Sequence, residues 1–333
     1  MSDVTNQPDT PVLAGAQGQR SRVRRVISRI GAALFVLWGT ITVTFLVLAV
    51  LPGDRATILL NITSGQVIER TAEELAPINA LYGFDKPILE QYGRYFWQLA
   101  QGDMGFSFEL QRPVSHIIAE QLTPTFTLAI AALLLAWLIA LPWTLLTAGK
   151  SRRLSAFGSA METIMAGLPQ YWIGILLLIV FAIGLRWFPV VGGSSWAGTL
   201  LPAITLAIPL AGFIGHTLRD EFERSLQEPF VLSARARGMS LGSVRRQHVI
   251  RHALIPAITL SGWAIGNLLS GAVLVEAVFA RPGLGNVLVN AVSNKDFALV
   301  SGIVVLISFL YILINLVVDT ISLLVDPRMR GQQ

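Results

Sequence analysis

Few residues in this chain have the type and spacing to do chemistry, and most of them stand inside or beside long apolar runs. Gly149-Lys150-Ser151 has the ending of a phosphate-cradling loop, in which backbone N–H groups and a lysine grip nucleotide phosphates. That pattern requires a glycine at position 144, where Thr144 stands, and the tripeptide closes an apolar run instead of following a strand. No nucleotide site is expected. The chain has 4 histidines, no His-Glu-x-x-His zinc motif and no cysteine, so no catalytic residue and no metal ligand is assigned. What remains is a set of polar groups within the apolar runs, where they are costly and therefore informative. Counting about 1.5 Å per residue, Asn267 and Asn315 fall near the middle of their runs, Glu276 near the outer end, and His216 and Asp319 near the inner end. Asn315 and Asp319 share a helix face, as do Asn267 and Gly271. Gly262, Gly266 and Ser270 make a ridge of small residues of the kind that lets helices approach closely. Two roles compete for the asparagines: joining helices, or lining a route across a membrane. Asn267 and Asn315 are the candidates for that route.

Membrane-length elements must position these groups. Hydrophobic residues make up 53% of the chain and charged residues 14%, with a mean hydropathy of +0.62, which excludes an ordinary soluble domain. Six apolar segments are long enough to cross a bilayer core of about 30 Å as helices: 30–51, 125–148, 163–185, 199–218, 257–279 and 298–325. The first is about twice the length of a signal-peptide core and ends Leu48-Ala-Val-Leu-Pro-Gly53, without a small-x-small cleavage site, so a retained helix is expected. Pro142, Pro169 and Pro209 fall inside segments, which membrane helices tolerate when neighbours satisfy the freed carbonyls. Basic residues set the orientation. Five arginines precede the first segment, three basic residues follow the second and seven arginines lie in 219–251, whereas the two short loops opposite carry only Arg186, and Arg281 with Lys295. Both termini are expected in the cytoplasm by this asymmetry. The expected layout is a disordered basic tail over 1–29, a first helix with a long extracytoplasmic loop over 30–118, a five-helix domain over 119–325 and a cytoplasmic tail over 326–333. Within the long loop, amphipathic helical patches are expected near 66–82 and 87–99.

The longest charged run between apolar segments is 219–256. Pro229 suits the first turn of a helix and Gly238 its C-terminal cap, enclosing about two turns, with Arg235 and Arg237 near the end where cations complement the helix dipole. A second helical stretch is expected from Ser240 to Leu254.

Ser233-Ala234-Arg235-Ala236-Arg237-Gly238, followed by Arg251-His252-Ala253-Leu254-Ile255-Pro256, resembles the coupling loop of ABC-importer permeases, most closely the dipeptide, oligopeptide and nickel branch. The general motif opens Glu-Ala-Ala; Leu232-Ser233-Ala234 take those places here, so the glutamate is missing and nothing that depends on it carries over. Phe279-Ala-Arg-Pro-Gly-Leu-Gly285 is similar to the family's Phe-x-x-Pro-Gly-Leu-Gly segment at the outer end of the fifth span. Leu51-Pro-Gly-Asp54, Tyr82-Gly-Phe-Asp-Lys-Pro87, Gln91-Tyr-Gly-Arg94, Gly102-Asp-Met-Gly105, the run from Asp296 to Gly302 and Asp326-Pro327-Arg328 match the same branch in order.

The resemblance implies an all-α membrane protein with the type I ABC-importer permease fold, multi-pass in the bacterial inner membrane. It implies transport of di- or oligopeptides by alternating access, or of nickel or an opine-type metal chelate by the same machinery. Implied partners are a second homologous permease, two ATP-binding subunits and an extracytoplasmic solute-binding protein, with no nucleic acid. This subunit would not be an enzyme and would bind no cofactor, ATP and Mg being held by the ATPases. Pro229, Phe230, Ser233, Ala234, Arg235, Ala236, Arg237 and Gly238 become the ATPase-coupling candidates. Glu276, Arg281, Pro282, Gly283 and Gly285 become candidates for an outer gate or receptor contact. A secondary transporter is the rival from another class; it would need coupling acids near the midplane and internal repeats. A membrane sensor or scaffold would have no use for the coupling-loop spacing.

Overall fold

The structure, a computed structural model, describes residues 13–50, 54–66, 68–193 and 195–325. Helix α1 (Leu13–Val50) is followed by three short helices, α2 (Arg55–Ser64), α3 (Ala72–Tyr82) and α4 (Ile88–Ala100). The chain then makes a two-residue antiparallel ladder, β1 (Phe106–Ser107) with β2 (Arg112–Pro113), before α5 (Val114–Thr147). Next come α6 (Arg152–Gly167), α7 (Gln170–Leu177) with a π-helical continuation Leu178–Gly184, and α8 (Trp196–Ser225). The remainder is α9 (Pro229–Ala236), α10 (Leu241–Val244), a π-helical turn Arg245–Val249, α11 (Ile250–Val278), α12 (Leu284–Ser293) and α13 (Phe297–Val325).

Among the described residues five helices are long and apolar enough to cross a membrane, or six if α6 with α7 and its continuation form one span. That pair corrects one expectation. Residues 163–185 are not one straight helix: the axis bends by 93° between Gly167 and Gln170. Leu168 takes an extended conformation (φ −75°, ψ 129°), as a residue before proline prefers, so Pro169 ends α6 where Pro142 and Pro209 are carried inside helices. The disordered tail is also corrected. α1 begins at Leu13, so 13–29 is helical, while 1–12 and 326–333, with Asp326-Pro327-Arg328, lie outside the described residues, as do 51–53. The two amphipathic patches of the long loop correspond to α3 and α4, whereas α2, the ladder and α12 are elements beyond those expected.

α8 is the hub. Buried residues fill 67% of its apolar window, against 17% for α1. α5 meets α8 through a stripe at four-residue spacing, Leu128, Ala132, Ala136, Ala140 and Thr144, every one buried. α8 answers with Ala203, Ala207, Ala211 and Ile214. Small side chains on both surfaces let the axes close up, so dispersion contacts stabilise the pair where lipid would remove the hydrophobic driving force. α1 lies at the edge against α13, with Leu34, Phe35, Val43 and Val47 exposed.

Candidate functional site

α9 is joined to α8 by three residues and to α10 by four, so its position follows theirs. Pro229 occupies its first turn, where a missing N–H costs nothing. Gly238 takes φ +86°, the left-handed conformation expected for its cap, and Gly238 N and Met239 N close the last turn by donating to Arg235 O and Ala234 O at 2.9 and 3.2 Å. Val231 and Ala234 face inward and join the core shared by Phe222, Val244 and Val249. Ala234 is 1% exposed, so this candidate contact residue touches its own chain and cannot meet a partner. Phe230 is half-buried and stacks on His252 with ring centroids 4.9 Å apart. Leu232, 74% exposed, turns outward together with Pro229, Ser233, Arg235, Ala236 and Arg237.

Two arginines lock this frame to the rest of the bundle, and neither stands out by residue type or spacing among the loop's seven. Arg245 donates to Gly149 O at 3.3 Å, to Leu145 O at 3.4 Å and to Ala148 O, satisfying carbonyls that the end of α5 leaves open. Its guanidinium also lies 5.3 Å from the Phe222 ring. Arg219 of α8, 3% exposed, grips Glu162 of α6, 1% exposed, in a two-pronged pair with both N···O distances 2.7 Å. The same guanidinium donates to Thr147 at 2.5 Å and to Ser155 at 3.3 Å. Gly158 lets the guanidinium approach, because a Cβ there would collide with it. His216 stands half-exposed beside the pair, 4.0 Å from Glu162. Gly149, whose motif hinted at a phosphate loop, gives its N–H to the Glu223 carboxylate at 3.3 Å, so an acid stands where a phosphate would.

The Gly238–Gly242 segment spells Gly-x-Ser-x-Gly, the spacing of a hydrolase nucleophile elbow. The structural context is different: Ser240 caps α10 by accepting from Ser243 N at 3.3 Å, and a helix, not a strand, precedes it. Among the described residues no group of three or more His, Cys, Asp or Glu side chains is placed to share a metal ion.

At the far end of α11, Glu276 and Arg281 are buried, at 0% and 1% exposure, so neither can touch a receptor directly. Glu276 accepts from the Thr125 hydroxyl at 2.8 Å and from Gly285 N at 2.7 Å, while Leu284 N donates to Thr125 Oγ1 at 2.9 Å. Arg281 lies 3.8 Å from Glu276 and donates to Pro124 O at 3.0 Å and Thr199 at 3.4 Å. Burial pulls the Arg281 guanidinium below its ordinary value and the Glu276 carboxylate opposes that. Gly283 and Gly285 are glycines because a Cβ would strike the Glu276 carboxyl at one and the Val273 backbone at the other. The five residues form a knot that ties α5, α8 and α11 together, with Pro282 alone on its surface.

The two asparagines fare differently. Asn315 is half-buried in the seam between α11 and α13, donating to Tyr311 O at 2.7 Å and lying 3.9 Å from where a Cβ on Gly266 would stand. The glycine ridge packs there too, Gly262 on Val318 and Gly266 on Tyr311. Asn267 is exposed on the neighbouring face of α11, one turn from Gly271, which abuts Gln170.

Comparison with known proteins agrees with this architecture. Residues 132–331 match the family described as the binding-protein-dependent transport system inner membrane component. A putative peptide transport system permease protein of Brucella abortus is 33% identical over 319 residues, covering 92% of this chain and 98% of the relative. The glutathione transport system permease protein GsiC of Salmonella typhimurium is 33% identical over 309 residues, with the same two coverages of 92% and 98%. Among solved structures, an inward-facing MetNI methionine ABC transporter superposes over 63% of this chain and 96% of its own at a TM-score of 0.51 with 16% identity, and an amino acid ABC transporter over 62% and 94% at 0.51. The fold is that of type I ABC-importer permeases, and the chain belongs to the family of binding-protein-dependent transport system inner membrane components.

Proposed function

We propose that this chain is one permease half of an ATP-driven importer of di- or oligopeptides, working by alternating access. A second homologous permease would complete the channel, two ATPases would bind ATP and Mg, and an extracytoplasmic receptor would deliver the solute. The observation that carries the reading is the outward face of α9. A two-turn helix that places Val231 and Ala234 in the core while turning Leu232, Ser233, Arg235 and Ala236 outward has the form of a docking key. Because α9 shares its core with the ends of α8 and α11, and Arg245 binds the end of α5, a push on α9 would move those helices as one body. Each side's ligand would then bias one of two global states. The relatives named for peptide and glutathione transport support a peptide as cargo.

The test is uptake by proteoliposomes holding the permease pair, its ATPases and its receptor. Labelled di- and tripeptides should accumulate only with ATP on the ATPase side. Accumulation without the ATPases would establish the secondary-transporter reading instead. ATP-driven uptake of nickel or a metal chelate, with peptides excluded, would overturn the cargo assignment alone.

A further inference from the structure

On the side of the bundle that carries residues 54–113, a cavity of 660 Å³ opens between the end of α1, α2, the turn after α3, α4 and the start of α13. Seven aromatic side chains contribute to its walls, with Phe45 and Tyr95 in ring contact at 5.6 Å and Phe84 and Phe297 beside them. Its charge is one-sided: Arg55, Lys86, Arg94 and Lys295 line it against one carboxylate, Asp296. That carboxylate is already engaged, accepting from Ser107 Oγ at 2.5 Å and from Leu299 N at 3.1 Å. Arg94 is partly answered by Glu90 at 3.7 Å.

Arg55 is not. Half-buried, it lies 5.8 Å from the Phe45 ring and 5.9 Å from the Phe84 ring, and among the described residues it has no carboxylate or carbonyl partner. Burial pulls its guanidinium below its ordinary value. The Tyr95 hydroxyl is buried, with the Ser301 side chain as its neighbour. A guanidinium left open among aromatic rings is costly unless something from outside completes it.

Depth identifies what that is. Phe45 and Leu48 stand within one and a half turns of the end of the α1 span at Val50, and Phe297 to Ser301 open the span Phe297–Val318. This is the level of lipid headgroups, where aromatic rings and basic side chains gather. We propose that the cavity holds one anionic phospholipid of the leaflet on this side, its phosphate on Arg55 with Lys295 at the rim. The first carbons of its acyl chains lie on Phe45, Leu48 and Phe297. A free anion or an acidic protein segment shares the charge but brings no hydrocarbon for those walls.

The test uses the assembled transporter, delipidated in detergent and titrated with phosphatidylglycerol, phosphatidylcholine of the same chain length, or inorganic phosphate. Native mass spectrometry counts bound lipid, and thermal unfolding reads its effect. Phosphatidylglycerol should bind selectively and raise the melting temperature, and Arg55→Gln should weaken that binding by roughly tenfold, the loss expected for one charge-assisted hydrogen bond. Equal binding of phosphatidylcholine, or the full shift from phosphate alone, overturns the proposal. Should Arg55→Gln unfold, the wild-type protein decides the matter with a photoreactive phosphatidylglycerol. Crosslinks are expected on the peptides containing Phe45–Leu48, Tyr82–Tyr95 or Lys295–Ser301. Crosslinks confined elsewhere, or lost on adding the receptor or a dipeptide, refute it.

Discussion

Single residues carry the largest energetic consequences in the Arg219–Glu162 pair. Both groups are nearly inaccessible, and the guanidinium also holds Thr147 and Ser155, so three elements depend on one cation. Removing one partner leaves a buried charge unanswered, whereas replacing both with apolar groups of similar size does not. Glu162→Ala is therefore expected to destabilise the chain by about 3–5 kcal/mol, and Glu162→Met with Arg219→Met to restore most of that loss. Thermal unfolding of the two variants in one detergent measures the difference, and equal melting temperatures would show that the pair is not a unit. Little in the pattern of residues announces it. By composition Arg219 is one of the loop arginines that set orientation, and Glu162 stands just before the apolar segment 163–185. The available signal was the glycines: Gly158, Gly212 and Gly215 all lie against this pair or its backbone. Glu276 and Arg281 lie in or beside a recognisable motif; of the two roles expected of them, outer gate or receptor contact, their burial argues against direct contact and leaves the gate as a proposal.

At the scale of elements, α9 shows what periodicity could and could not supply. Pro229 and Gly238 marked its two ends, and the cap at φ +86° follows from the chemistry of glycine. Which face turns inward is decided by α8, α10 and α11, and short-range sequence is silent on that. The structure therefore divides adjacent residues between two outcomes. Ser233→Trp and Leu232→Asp change only the outward face; both should leave melting temperature and pairing with the second permease intact while abolishing receptor-stimulated ATP hydrolysis. Ala234→Trp overpacks this chain's own core, at about 1–3 kcal/mol, and should lower the melting temperature of the permease before any ATPase is added. Gly238→Val should do the same by forcing a β-branched side chain into the left-handed region, at about 1–3 kcal/mol. Normal stimulated hydrolysis in Ser233→Trp and Leu232→Asp, with stability unchanged, would remove α9 from the coupling route. The break at Pro169 teaches the complementary lesson: hydropathy runs straight through 163–185, and only the conformational preference of Leu168 before proline marks the 93° bend.

Across the whole molecule, hydropathy and order of motifs made the fold class legible, because membrane-length apolar runs admit few alternatives to helices. The seams between helices were less so. Asn267 and Asn315 are equivalent by depth, but packing sets Asn315 against Gly266 and leaves Asn267 exposed. Asn267→Leu should consequently reduce uptake while the transporter assembles normally, whereas Asn315→Leu should disturb the α11–α13 seam, read as loss of assembled complex on size exclusion. The architecture also places two sets of anchoring contacts at opposite ends of α5. Near its start, Ser107 of the adjoining hairpin binds Asp296 ahead of α13; at its finish, Arg245 ahead of α11 binds Ala148 and Gly149. A helix of 34 residues spans roughly 50 Å at about 1.5 Å per residue, more than the hydrocarbon core, so α2 and the π-helical turn before α11 should face different compartments. Ser64 and Gln247 are exposed members of these two regions, and the chain has no cysteine to interfere. The arginine asymmetry predicts Gln247 in the cytoplasm and Ser64 outside. In intact cells lacking the ATPases, an impermeant maleimide should label Ser64→Cys at once and Gln247→Cys only after the membrane is opened. Labelling of both variants from outside would break the span count, and the reversed pattern would invert the protein in the membrane and place α9 on the side without ATP.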